Sequence, residues 1–111
     1  MTSRALLVKP EWAARLVALE NPKTWEIRGA ATKIRGRVGI LATSGVGLVG
    51  HAELVDCIPL TPELFASNVD KHQSPGHSYA RPHAWVFRDG VPYATPQQVP
   101  RKQGQIIWVK Y

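Results

Sequence analysis

Hydrophobic positions along this chain fall in short clusters whose spacing alternates between the two-residue period of strands and the three-to-four-residue period of helices. Arg4 to Val8 (RALLV) is a brief apolar run that reads as a first strand. Pro10 then opens PEWAARLVALE, where Ala13, Leu16, Val17 and Glu20 recur at helical spacing with Trp12, Arg15 and Leu19 on neighbouring stripes. Proline suits the first turn of a helix because its missing N–H would be unpaired there. Glu11 complements the positive end of the helix dipole. Asn21-Pro22 predicts the stop, since proline disfavours helical geometry in the residue before it.

Lys23 to Arg28 (KTWEIR) alternates strictly, with Trp25 and Ile27 on one face and Thr24, Glu26 and Arg28 on the other. A small basic connector with Lys33 and Arg35 leads to two strands, Arg37 to Thr43 and Leu48 to Cys57, joined by a turn at Ser44-Gly45-Val46-Gly47. Thr61-Pro62-Glu63 has the cap-then-proline form that starts a short helix through Phe65. Ser67 to Arg81 is polar throughout and reads as one long irregular loop, the kind of segment that is often functional. His83 to Asp89 reads as a strand ending in an Asp89-Gly90 turn. The segment after it, punctuated by Pro92, Pro96 and Pro100, fits an edge strand or an extended crossover. Gln105 to Tyr111 is rich in β-formers and reads as the closing strand. Trp25, Trp85 and Trp108 are expected in the core. About six strands, one main helix near the N-terminus and a second short helix predict an α+β fold with a rolled sheet or small open β-barrel.

A length of 111 residues suits one domain, and the expectation is a single unit over residues 1–111. No stretch approaches the ~20 apolar residues that cross a bilayer; the longest weakly polar run, Val38 to Gly50, is broken by four glycines. No basic-then-apolar leader pattern is visible at the N-terminus, and the expected location is cytoplasmic. Cys57 is the only cysteine, and the four histidines form no helical i, i+4 pair, so neither a metal site nor a cofactor is expected. The net charge of +6 favours polyanionic partners, nucleic acid first among them.

Four places along the chain resemble the ASCH (activating-signal-cointegrator homology) domain of the PUA-like superfamily. LLVKPEWAARL is similar to the family's first strand and the start of its first helix. Pro22-Lys23-Thr24-Trp25-Glu26-Ile27-Arg28 resembles its G-x-K-T-x-E-x-R signature. Ala52-Glu53-Leu54-Val55-Asp56-Cys57 resembles the end of its hairpin, and Ala84-Trp85-Val86-Phe87 with Gln103-Gly104-Gln105-Ile106-Ile107-Trp108 resembles its terminal strand pair. Two departures stand out. Pro22 replaces the family's glycine, and Glu26 occupies the position where relatives that remove an acyl group from cytidine carry a catalytic threonine; here Thr24 lies two residues earlier. The resemblance implies a PUA-like open barrel and an RNA-linked role, and carries the fold further than that chemistry.

Glu26 and Arg28 lie roughly 7 Å apart along one face of a strand. Facing a cleft, Arg28 can fork onto a phosphate or carbonyl while Glu26 accepts from a base edge, holds Arg28, or acts as a general base; facing a barrel end, they are a structural ion pair. Lys23 at the strand's start can contact phosphate, or act as base or nucleophile when desolvated. Lys9 and Trp12 flank the helix start, where Lys9 meets anions and Trp12 either stacks on a base or packs in the core. Ser44 sits in a turn whose backbone donors can form an anion nest. Lys33, Arg35, Arg37, Arg101 and Lys102 are candidates for a phosphate-contacting surface. His51 and Glu53 share strand parity and can pair, and His72, His77, Tyr79 and Arg81 can form a lid. The leading expectation is a module that binds RNA, single-stranded DNA or a nucleotide through Lys9, Trp12, Lys23, Thr24, Glu26, Arg28, Ser44, Arg35 and Arg37. The alternatives are a metal-independent hydrolase of RNA or a modified nucleoside using Lys23 and Glu26, and a protein-interaction domain.

Overall fold

The computed structural model describes residues 3–100 and 107–111. In chain order its elements are β1 (Arg4–Val8), α1 (Pro10–Leu16), β2 (Trp25–Arg28), β3 (Gly36–Ala42), β4 (Gly47–Pro59), α2 (Pro62–Ser67), α3 (Val69–His72), β5 (His83–Gln97) and β6 (Trp108–Lys110). The strands form one sheet in the order β2-β5-β4-β3-β1-β6, antiparallel except for the parallel β1–β3 pair. That parallel pair requires the chain to cross over between β1 and β3, and α1 is part of the crossover. The sheet curls into an open half-barrel. Its two ends are tied by side chains: Arg28 on β2 donates to the Leu7 carbonyl on β1 at 2.7 Å, and Trp85 on β5 stacks with Trp108 on β6 at 5.9 Å between ring centres.

Alternation along the strands sorts the core into layers. Leu6, Val8, Val38, Ile40, Ala52, Leu54, Trp85 and Phe87 face inward and pack with Ala13, Leu16 and Val17 of the α1 region. Ala5, Leu7, Leu41, Leu48 and Val109 form a smaller cluster on the opposite face, with Tyr93 beside them. Trp25, Ile27, Leu60 and Ala84 make a third cluster that Phe65 of α2 covers. Trp25 and Trp85 are core residues, as their alternation predicted, and Trp108 packs against the core partly buried.

Four boundaries differ from those the pattern predicts. α1 stops at Leu16 rather than running to Glu20, because Gly90 of β5 packs against the Leu16 carbonyl and the chain turns back so that the Lys23 N–H donates to the Arg15 carbonyl at 2.9 Å. Asp89-Gly90 is not a hairpin turn. It is a bulge in one continuous strand, Asp89 taking φ 54° while the register slips by one residue between the Glu53–Arg88 and His51–Val91 pairs. The strand then runs on through Pro92 and Pro96 to Gln97, beyond the reach of β2, so the prolines sit where only one neighbour remains. The polar segment after Ser67 contains a single helical turn, α3, which ends with Gln73 in a left-handed conformation. The expected start of the closing strand at Gln105, and Arg101 and Lys102, lie outside the described residues.

Candidate functional site

A cleft of about 460 Å³ opens where the two ends of the curled sheet approach each other. Its floor is built by β2, which contributes Glu26 and Arg28, with Lys23 just before it; one wall is the start of α1 with Lys9, Glu11 and Trp12, and the other is the loop Ser74–Tyr79. Strict alternation in KTWEIR explains the floor. Trp25 and Ile27 are drawn into the third core cluster, which forces Glu26 and Arg28 to the cleft side.

Lys23 is only 2% exposed and Glu26 6%. The Lys23 ammonium donates to the His72 carbonyl at the end of α3, lies 3.7 Å from Glu26 Oε1, and sits 5.0 Å from the centre of the Trp12 ring. Arg28 donates from Nε and Nη2 to Glu26 Oε2 at 3.1 and 2.9 Å, and lies over the Trp85 ring at 5.7 Å. One carboxylate therefore serves two cations, one on each oxygen. Burial pulls the Lys23 pKa down from 10.5 to about 8; Glu26 opposes this, and Arg15 and Arg28 add to it. An amine in this state gives up its proton at mildly alkaline pH.

His72 is a structural residue rather than part of a lid. It is fully buried and stacks on Phe65 at 4.0 Å. Its Nδ1 accepts from the Ser74 N–H at 2.9 Å, so the Nε2–H donates to the Phe65 carbonyl at 2.8 Å. The same residue's carbonyl seats Lys23. His77 and Tyr79, by contrast, are exposed at the cleft rim and stacked on each other at 6.0 Å, with His77 edge-on to Phe65.

The model of the family described as "ASCH domain" matches residues 6–99, most of the chain. This chain belongs to the ASCH domain family. Its fold is similar to crystal structures of ASCH from Zymomonas mobilis, with a TM-score of 0.65 at 21% identity over 81% of this chain and 69% of that one. Two substituted variants of the same protein match as well, at TM-scores of 0.65 and identities of 21% and 20%, covering 81% and 84% of this chain and 71% and 72% of those chains. The fold is thus the PUA-like α+β half-barrel that the sequence resemblance implied. Comparison with curated protein sequences yields no match.

Of the nine residues singled out in the sequence, this ASCH domain brings five together at the cleft: Lys9, Trp12, Lys23, Glu26 and Arg28. Trp12 packs partly against the inner core and also lines the cleft. Thr24 does not line the cleft; its backbone is fastened to Lys71 and Phe87 at 2.9 and 2.7 Å. Ser44 is in the β3–β4 turn with φ 62° and does not line the cleft, although Thr43 beside it does. Arg35 bonds the Thr32 and Ile34 carbonyls of its own connector. Arg37 is on the opposite sheet face, against His51. His51 consequently pairs with Arg37 and Tyr93 instead of Glu53. Ser74, His77, Ser78, Tyr79, Glu11 and Thr43 are among the other residues that line it. Only the length and polarity of the 67–81 segment hinted at the loop's part. Among the described residues no three His, Cys, Asp or Glu side chains converge as a metal site would need, and no helix is long and apolar enough to cross a membrane.

Proposed function

We propose that this ASCH domain binds single-stranded nucleic acid, RNA foremost, by taking one nucleoside into the Lys23–Glu26–Arg28 cleft. The observation that carries the reading is a nearly inaccessible lysine held at the floor of an open cleft. A cation buried there costs stability unless its charge is used, and a pair of apolar residues would pack as well. A cleft of about 460 Å³ suits one base and its sugar, and is too small for a duplex. Exposed His77 and Tyr79 supply a stacking surface at the rim, Glu26 and the Ser74 and Ser78 hydroxyls offer polar partners to a base edge, and Lys9 at the mouth meets a phosphate. The net charge of +6 draws the polyanion in.

Titration of the full chain with single-stranded RNA, followed by tryptophan fluorescence over a range of salt, tests this. Affinity should fall linearly on a log–log plot, with a slope near −0.7 per phosphate contacted. Tyr79→Ala should weaken binding by about 1–3 kcal/mol through lost stacking. Absence of any binding at low salt defeats the reading.

The lowered pKa of Lys23 favours a second reading, a metal-independent hydrolase of a modified nucleoside or RNA, with Lys23 as base and Glu26 as its acid–base partner. Turnover should then rise with an apparent pKa near 8 and vanish in Lys23→Met while binding persists. No turnover above a blank with RNA and acylated nucleosides retires it.

A further inference from the structure

A second, smaller cleft of about 260 Å³ lies on the sheet face away from α1, lined by Ser3, Arg4, Arg37, His51, Tyr93 and Tyr111 over a floor at Gly39. Its chemistry differs from that of the first cleft. None of its lining residues is acidic, whereas Glu11 and Glu26 line the other. Glu53 stands opposite Arg37 in the β3–β4 ladder, yet among the described residues neither Arg37 nor Arg4 is in an ion pair. Arg37 turns instead to His51 Nε2.

That contact determines the hydrogens of the whole group. A guanidinium only donates, so His51 Nε2 must accept, and the neutral ring keeps its proton on Nδ1. The Nδ1–H then donates to the Tyr93 hydroxyl oxygen at 3.0 Å, which leaves the Tyr93 O–H free to donate in turn. Burial, reinforced by the Arg37 charge, holds the imidazole below its ordinary range and so keeps the ring neutral. Tyr111 lies across the floor because Gly39 has no side chain; a Cβ there would stand 2.7 Å from the Tyr111 hydroxyl. The cleft therefore presents one guanidinium group, that of Arg37, and three hydroxyls, with the imidazole aligning one of them; the Arg4 guanidinium lies instead over the Trp108 ring at 5.9 Å, on the inner side of the sheet.

We infer that this second cleft is a phosphate-binding site, built from Arg37 and the hydroxyls of Tyr93, Tyr111 and Ser3, with His51 as a positioning residue. A tetrahedral oxyanion accepts from several donors at once and supplies the carboxylate-like partner that Arg37 lacks. The inference is independent of the role proposed for the first cleft.

The test is NMR of the full chain, following the His51 ring and Tyr93 resonances. Three probes are used: inorganic phosphate, a nucleoside 5′-monophosphate, and an oligoribonucleotide without terminal phosphates. Saturable shifts are expected with at least one. Saturation by the first two alone assigns a free phosphate monoester as ligand; saturation by the oligomer alone assigns a polynucleotide backbone. Arg37→Gln should weaken binding at least tenfold, while Arg88→Gln, which removes an exposed cation outside both clefts, leaves it unchanged. Tyr93→Phe, which removes a single hydroxyl, should cost about threefold and carries the test if the Arg37 variant does not fold. The inference is overturned if no probe gives a saturable shift, or if the Arg37 and Tyr93 variants bind as well as the parent.

Discussion

Glu26 holds two cations at once, so the three residues of the cleft floor are unequal in what their loss would do. Removing the carboxylate in Glu26→Ala leaves Lys23 and Arg28 buried beside each other without a counter-charge, and should destabilise the protein by about 3–5 kcal/mol. Lys23→Met keeps the long stem and removes the buried charge, and should leave thermal stability unchanged or raised. This asymmetry, read from melting temperatures, marks Lys23 as a residue retained for something other than folding; a loss of several kcal/mol in Lys23→Met contradicts that. The titration of Lys23 has a definite sign. Its folded pKa of about 8 lies below the ordinary 10.5, so between those values the unfolded chain binds the extra proton and stability rises with pH. Urea midpoints of the parent relative to Lys23→Met should therefore climb from pH 8 to 10.5, and lie parallel below pH 7.

At the scale of elements, helix ends and strand irregularities aim the cleft. α1 is short because it abuts β5, and the close approach depends on Gly90, where a Cβ would strike the Leu16 carbonyl. Gly90→Ala should cost about 1–3 kcal/mol, as overpacking does, and loosen the α1 wall that carries Trp12. Chemical denaturation with hydrogen exchange at Ala13 to Val17 checks both effects. α2 begins where Thr61 accepts from the Leu64 N–H at 3.1 Å, and Phe65 on it stacks on His72 of α3. Through the His72 carbonyl, this one-turn helix sets the height of the Lys23 ammonium. A four-residue helix has almost no intrinsic stability. It exists here because His72 fills a buried slot with both ring nitrogens bonded.

For the molecule as a whole, charge and curvature act at different ranges. Arg35 is exposed and bonded only within its own connector, so it contributes to the field without shaping the cleft. On the proposed function, Arg35→Glu should slow association with single-stranded RNA and flatten its salt dependence while leaving the melting temperature within about 0.5 kcal/mol of the parent's equivalent. Stopped-flow association rates at two salt concentrations measure this; a changed dissociation rate with an unchanged association rate contradicts it. Curvature brings β2, at one end of the sheet, against β1 near the other, and the Arg28–Leu7 bond closes that seam. The first cleft is the mouth of the seam, and the second lies elsewhere on the sheet, over β1, β3, β4 and β5.

The amino-acid order alone determined the properties that depend on near neighbours: the strand at Arg4–Val8, the proline-led start of α1, the β3–β4 hairpin, the capped start of α2, and the two-faced KTWEIR strand that sends Glu26 and Arg28 to one side. These follow from periods of two and 3.6 and from the backbone limits of proline. The sequence also carried the family motifs, whose residues include all five that meet in the cleft. Only the tertiary structure decided which distant residues share a space. That Arg37 turns away from Lys23 to His51, that Asp89-Gly90 bulges instead of turning, that the 67–81 segment folds one helical turn beneath Lys23, and that a donor-lined pocket lies behind the sheet all depend on register and curl. Those are set by contacts between residues tens of positions apart, and no local period encodes them.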